Sequence, residues 1–323
     1  MIATFLQRAI MQGIPLLFGA NGEILTEKSG NLNLGVPGMM YMGGVGGRIG
    51  AFLYENSTAN PIPAVGMLIA LLCALALSAR GAVIYSVLTI TLRANQNVTG
   101  LALTTFGMGF GIFFGGSLST LAGGVGQLST RVTASAFRAK LPVLSEIPVI
   151  GELLFSYGWM TYFCIALTFI LSWFLFKTRV GLNLRSIGES AATADAAGVD
   201  VARYKYVATI AGGMLAGLGG LYFVMEYTGG TWVNNGFGDR GWLAVALVIF
   251  ARWRPLNAIW GAFLFGGLYI LYLYLPLTRA MQEIFKALPY VVTIVVLVIT
   301  SLRKKREDQP PAGLGLPYFR ESR

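Results

Sequence analysis

The residues able to do chemistry in this chain are few and mostly neutral. It has no histidine, and its two cysteines, Cys73 and Cys164, each sit in an apolar run. The commonest general base is therefore missing. No spacing in the sequence suggests a disulfide framework or a metal centre, and no G-x-x-x-x-G-K-[ST] run is present to cradle nucleotide phosphates. What remains is amides and hydroxyls: Asn31, Asn33, Asn95, Asn97, Thr104 and Thr105. Such groups can hydrogen-bond a neutral, polyhydroxylated or heterocyclic solute weakly enough to release it again. They are equally suited to satisfying backbone at a helix break. Trp232, Asn234 and Asn235 form a second group, in a polar loop that faces a pore mouth, a binding partner or plain solvent. Glu23, beside Thr26 and Lys28, reads as a local partner rather than a proton relay. Asp239–Arg240 reads as a local ion pair.

The third group lies in a polar island, Lys177 to Lys205, between two almost wholly apolar segments. Five of its residues are basic: Lys177, Arg179, Arg185, Arg203 and Lys205. Ser186 followed three residues later by Glu189 matches a capping box at a helix start. Small residues follow from Ser190 to Ala197, and Gly198 is placed to end the helix in a left-handed conformation. The spacing predicts a helix of about three turns, too short and too polar to cross a bilayer. It is either a docking element for another protein or an ordinary capped connector.

These groups need a frame, and composition supplies it. Hydrophobic residues make up 55% of the 323 and charged residues 12%. The apolar residues come in blocks near the length that spans about 30 Å of hydrocarbon, without the alternating segments of a barrel. The fold class expected is all-α: a polytopic membrane helical bundle of about eight to ten spans, some broken or re-entrant. Forty-two glycines suit close helix approach, as at Gly43/Gly47, Gly107/Gly111 and Gly213/Gly217.

Taken in order, residues 1–25 form a first apolar segment, loosened in its second half by Pro15, Gly19, Asn21 and Gly22. Asn31, Asn33, Gly35, Pro37 and Gly38 then predict a broken or re-entrant segment within residues 26–54. Spans follow over residues 62–88, with Arg80 inside, and 98–121. A long connection (122–157) leads to spans over 158–176 and 206–225, which flank the island. Residues 242–251 make half a crossing before Arg252–Pro255, and two last spans cover 258–275 and 284–302. Residues 1–302 thus form one membrane domain. Residues 303–323, opening with Arg303–Arg306, read as a basic, disordered tail.

The net charge of +10 sits mainly beside the spans, which points to cytoplasmic loops and anionic lipid rather than nucleic acid. The island, the Arg252–Arg254 turn and the tail alternate consistently if all three are cytoplasmic, leaving 122–157 and 226–241 outside. A full crossing by both early segments would put Met1 outside as well.

Three runs carry a resemblance: TEKSGNLNLGVPGMMYMGG from Thr26, GESAATADAAGV from Gly188, and GDRGWLAVALVIFARWRPLNAIWGAFLFG from Gly238. Together they resemble ABC importer permeases of the ribose/BmpA-linked nucleoside class, within the branched-chain amino acid/ribose permease superfamily. The chain looks like the shorter of the two permeases such systems pair. The resemblance implies a non-catalytic transport subunit in the bacterial cytoplasmic membrane. It also implies a second, related permease chain, an extracytoplasmic substrate-binding protein, and ATPase subunits that bind ATP and Mg, with no cofactor in this chain. Carried over by position, Gly188 to Val199 becomes the ATPase-coupling helix, with Ser186, Gly188, Glu189, Ala192, Asp195, Ala197 and Gly198 as coupling residues. The expected cargo is a nucleoside or related polar solute, with a simple sugar as the alternative and an ATP-independent facilitator as the alternative of another class. Pro37, where many relatives are acidic, and the basic Arg252 and Arg254 depart from the family pattern and bear on substrate.

Overall fold

A computed structural model describes residues 2–121, 130–140, 150–303 and 309–319. The described residues are almost entirely helical, and five helices are long and apolar enough to cross a membrane: Pro63–Thr91, Gln96–Ser117, Trp159–Lys177, Val201–Tyr227 and Pro255–Tyr274.

The chain opens with α1 (Ile2–Glu27), which runs unbroken through Pro15. The expected loosening does not break the helix, and its glycines pack closely against neighbouring helices. A Cβ on Gly22 would lie 2.2 Å from the carbonyl oxygen of Gly212 on the helix opposite. Gly30, at φ +82°, then ends the helix. A short break follows before α2 (Val36–Ser57), which Pro37 helps to open. The expected interruption in residues 26–54 is therefore real but confined to the break. Beyond it α2 is a full-length helix.

α3 (Pro63–Ser86) runs on into a π turn at Val87–Thr91, and α4 (Gln96–Leu121) follows. Two short helices, α5 (Arg131–Phe137) and α6 (Ile150–Leu154), precede α7 (Trp159–Lys177). The island holds α8 (Arg179–Glu189) and α9 (Ala191–Ala196). α10 (Val201–Tyr222) continues into a π turn at Phe223–Tyr227. Then come the short α11 (Arg240–Phe250), α12 (Pro255–Leu271), α13 (Arg279–Lys286) and α14 (Leu288–Arg303). α11 is the half-crossing expected from the sequence, closed by left-handed Arg252 and Trp253.

α10 is the hub. Its most apolar stretch is 72% buried, against 28% for the equivalent part of α3. It packs on α1, α2 and α3, and a Cβ on Gly43 of α2 would fall 2.3 Å from Gly217 of α10. Such contacts are backbone against backbone, the close approach that small residues permit between membrane helices. The outer faces of α3, α7 and α14 expose Leu68, Leu72, Phe169, Trp173, Ile294 and Val298. Lipid or a second membrane subunit belongs against them.

Candidate functional site

The break between α1 and α2 is buried, and side chains from other helices satisfy its backbone. Glu23 Oε1 on α1 accepts from the Asn33 amide at 3.0 Å. Gln96 Oε1 on α4 accepts from the Leu32 amide at 2.7 Å, and the Tyr85 hydroxyl donates to the Leu32 carbonyl. Thr104 Oγ1 donates to the Leu34 carbonyl at 2.7 Å. Asn33 Oδ1 accepts from the Gly35 amide at 2.9 Å, a local turn that leads into α2. Asn31 is different. Its Nδ2 donates to Thr209 Oγ1 on α10 at 3.1 Å and to Thr89 Oγ1 at 3.4 Å. Its Oδ1 is buried with no partner among the described residues. Each such atom costs about 1–3 kcal/mol, so an acceptor left open here calls for an explanation.

The six amide and hydroxyl candidates therefore divide. Asn31, Asn33 and Thr104 meet at the break. Asn95 is an exposed cap whose Oδ1 accepts from the Val98 amide at 3.1 Å. Asn97 is exposed, and the exposed Thr105 bonds back to Leu101 in its own helix.

The island differs from the sequence expectation in one respect. Ser186 and Glu189 do not start a helix, because Thr178 has already capped α8 by accepting from the Gly181 amide at 3.0 Å. Ser186 lies inside that helix and donates to the Asn183 carbonyl. The second start is Ser190, which accepts from the Thr193 amide at 3.3 Å, and Gly198 closes the segment at φ +84° as expected. Ser186, Glu189, Ala192, Ala197 and Gly198 are exposed on one side of the molecule, and Asp195 is half-buried.

Gly188 is buried, and a Cβ there would sit 2.4 Å from the Lys28 carbonyl oxygen. The island thus touches the end of α1 and the start of the break directly. Lys28 lies beside it: burial pushes its ammonium down to about 8, against an ordinary 10.5, opposed by Glu189 and reinforced by Arg185 and Arg254.

Disorder was expected throughout the tail, and its described stretch beyond Arg303 is ordered instead. Residues 309–319 lie across the island as a strap. The Gly313 amide donates to the Gly188 carbonyl at 2.8 Å and the Gly315 amide to the Gly30 carbonyl at 3.2 Å. The Tyr318 hydroxyl donates to Asp195 Oδ2 at 2.7 Å. Pro/Gly composition misled here because the strap is held by backbone hydrogen bonds to glycines distant in sequence. Lys304, Lys305 and Arg306 of the basic cluster lie outside the described residues, as does Glu146.

On the opposite face Trp232 is buried, its indole Nε1 donating to Asn234 Oδ1 at 3.0 Å, with the Arg48 guanidinium 5.9 Å from its ring. Asn234 and Asn235 are exposed. Arg240 does not pair with Asp239. It is buried, donates to Gln12 Oε1 at 2.8 Å and to the Gly236 and Phe237 carbonyls, and lies against Phe223, Tyr227 and Tyr269. Glu226 is also buried, accepting from the Gly158 amide at 3.0 Å and from Thr161. The sequence reading passed over Arg48 and Glu226, and it gave Arg240 and Lys205 no internal role. Their signal was available, since a charged residue in or at the end of an apolar run marks an internal role.

A buried, side-chain-supported break in contact with a polar segment outside the bundle suits a gate moved from one face. The profile of the family described as branched-chain amino acid transport system / permease component matches residues 5–297. The chain belongs to this family. It is 32% identical to a putative glucose ABC transporter permease protein of Haloferax volcanii, over 99% of this chain and 98% of that protein. It is also 32% identical to a guanosine ABC transporter permease protein of Bacillus subtilis, over 97% and 96% respectively. A nucleoside ABC transporter permease protein of Lactococcus lactis is 29% identical over 90% of each chain. No solved structure matches. The chain is an integral membrane permease of the ABC transporter type.

Proposed function

We propose that this permease carries a nucleoside or related small polar solute into the cytoplasm, driven by ATP that a partner chain hydrolyses. The observation that carries this reading is the contact between Gly188 and Lys28, which ties the exposed segment α8–α9 to the break bearing Asn31 and Asn33. α8–α9 is the coupling element: Ser186, Glu189, Ala192, Asp195, Ala197 and Gly198 meet the ATPase, which binds ATP and Mg. Its closure displaces α8–α9 and, through Gly188, the break. Asn31, with one open acceptor, is the best-placed contact for a passing solute, supported by Asn33 and Thr104. Trp232, Asn234 and Asn235 line the outer mouth, where a substrate-binding protein delivers its cargo. A second permease chain completes the pathway against one of the exposed apolar faces. The guanosine and nucleoside names of two relatives support the cargo class, and the glucose name of a third keeps a simple sugar as the second reading.

The test is reconstitution in proteoliposomes with an ATPase, a partner permease and a binding protein from the same organism. Uptake that needs ATP, and that Gly188→Leu abolishes while ATP hydrolysis continues, supports the mechanism. Uptake by this chain alone without ATP would show a facilitator instead. Competition between labelled guanosine and labelled glucose separates the two cargo readings.

A further inference from the structure

Between α10, the π turn that ends α3, and the strap lies a cavity of about 470 Å³. Its lining includes Lys205, Arg93, Thr89 and Gln96, with Tyr318 of the strap and the end of α9 at its mouth. Lys205 stands in the second turn of α10 and is only 4% exposed. It makes no hydrogen bond or ion pair with any described residue. Its stem is buried while its ammonium opens into the cavity, and a cation presented to a cavity of this size suits an anion. Arg93 adds a second charge at the rim, its guanidinium 4.5 Å from the Phe319 ring of the strap.

The two carboxylates on the same cavity are turned to other donors. Asp200 Oδ1 caps α10 by accepting from the Arg203 amide at 3.0 Å, and Asp195 Oδ2 accepts from Tyr318. Thr89 and Gln96 also line the cavity, with the Thr89 hydroxyl donating to the Tyr85 carbonyl and Gln96 Oε1 accepting from the Leu32 amide, and Thr89 is shared with the Asn31 cluster.

We infer that this cavity is a binding site for a small phosphate-bearing anion, held by Lys205 and Arg93 beneath the strap. A phosphate there accepts charge-assisted hydrogen bonds from both cations. Because the strap, the end of α9 and α10 all border the cavity, an occupant joins them and resists displacement of α8–α9. The phosphate has two possible sources, a soluble metabolite entering past the strap or the headgroup of an anionic lipid.

The test uses the full chain in nanodiscs of uncharged phosphatidylcholine, titrated with inorganic phosphate, adenosine monophosphate and adenosine at constant ionic strength. Binding is read by calorimetry and by thermal unfolding. Saturable binding of phosphate or the monophosphate, weakened about tenfold or more by Lys205→Gln and retained by Lys205→Arg, supports a soluble ligand. Stabilisation only in nanodiscs containing phosphatidylglycerol, with the same dependence on Lys205, assigns the headgroup. No saturable effect from either source, binding unchanged in Lys205→Gln, or adenosine binding that depends on Lys205 as strongly as that of its monophosphate overturns the site. If Lys205→Gln fails to fold, Arg93→Gln carries the comparison, since Arg93 is exposed at the rim. The readout is binding, so failure of the transport mechanism above would leave this result standing.

Discussion

Glu23 shows how much a single side chain does in this bundle. Its Oε1 accepts from the Asn33 amide, so Glu23→Ala leaves a buried donor open and should cost about 1–3 kcal/mol. Glu23→Gln keeps an acceptor in place and should stay near wild type. Thermal unfolding in detergent separates the two, and equal losses would mean that the carboxylate charge, not the hydrogen bond, matters. Lys28 makes a prediction in pH. The unfolded chain holds this proton up to about 10.5, whereas the folded chain releases it near 8. The unfolded state therefore binds more protons between those values, and stability rises with pH across that window. Lys28→Met should flatten the rise, and parallel wild-type and variant curves would contradict it. The residue scale was also where reading the sequence served worst. Asn95 and Thr105 have the same chemistry as Asn31 and Thr104, but facing solvent or facing the break depends on helix rotation, which amide and hydroxyl identity does not encode.

Among the elements, the island was legible in outline and misread in register. Gly198 ends it as its position implied, because only a residue tolerant of positive φ turns the chain there cheaply. Ser186 and Glu189 matched a helix-start pattern, yet the same three-residue spacing occurs between neighbours inside any helix, and Thr178 upstream had already supplied the cap. The break between α1 and α2 was readable from Asn31, Asn33, Gly35 and Pro37, of which Pro37 stands in the first turn of α2 with its φ already fixed for a helix. The strap was not readable, because its partners Gly30 and Gly188 are remote in sequence. Its role can be measured. A chain ending before residue 309 loses the hydrogen bonds to Gly188, Gly30 and Asp195, and should be cut faster by protease within α8–α9. Unchanged cleavage would mean that the strap does not hold the island. Gly198→Ala should cost about 1 kcal/mol or more in the same unfolding assay.

At the scale of the whole molecule, the expected all-α bundle is what forms, since apolar blocks of spanning length leave the backbone no other way to satisfy itself in lipid. Orientation is open to direct test. A cysteine placed at exposed Ala192 should react with an impermeant maleimide only from the cytoplasmic side, and one at Asn234 only from outside. Native Cys164 is buried, and replacing half-buried Cys73 removes the background. Labelling in the opposite sense would reverse the direction in which the coupling segment acts. The glycine contacts among α1, α2 and α10 carry a further consequence. Where two backbones touch with no side chains between them, nothing can rotate to a new rotamer and absorb a displacement. Those three helices must travel as a single rigid gear, and any opening of the pathway has to be a shear along the better-lubricated seams where longer side chains meet.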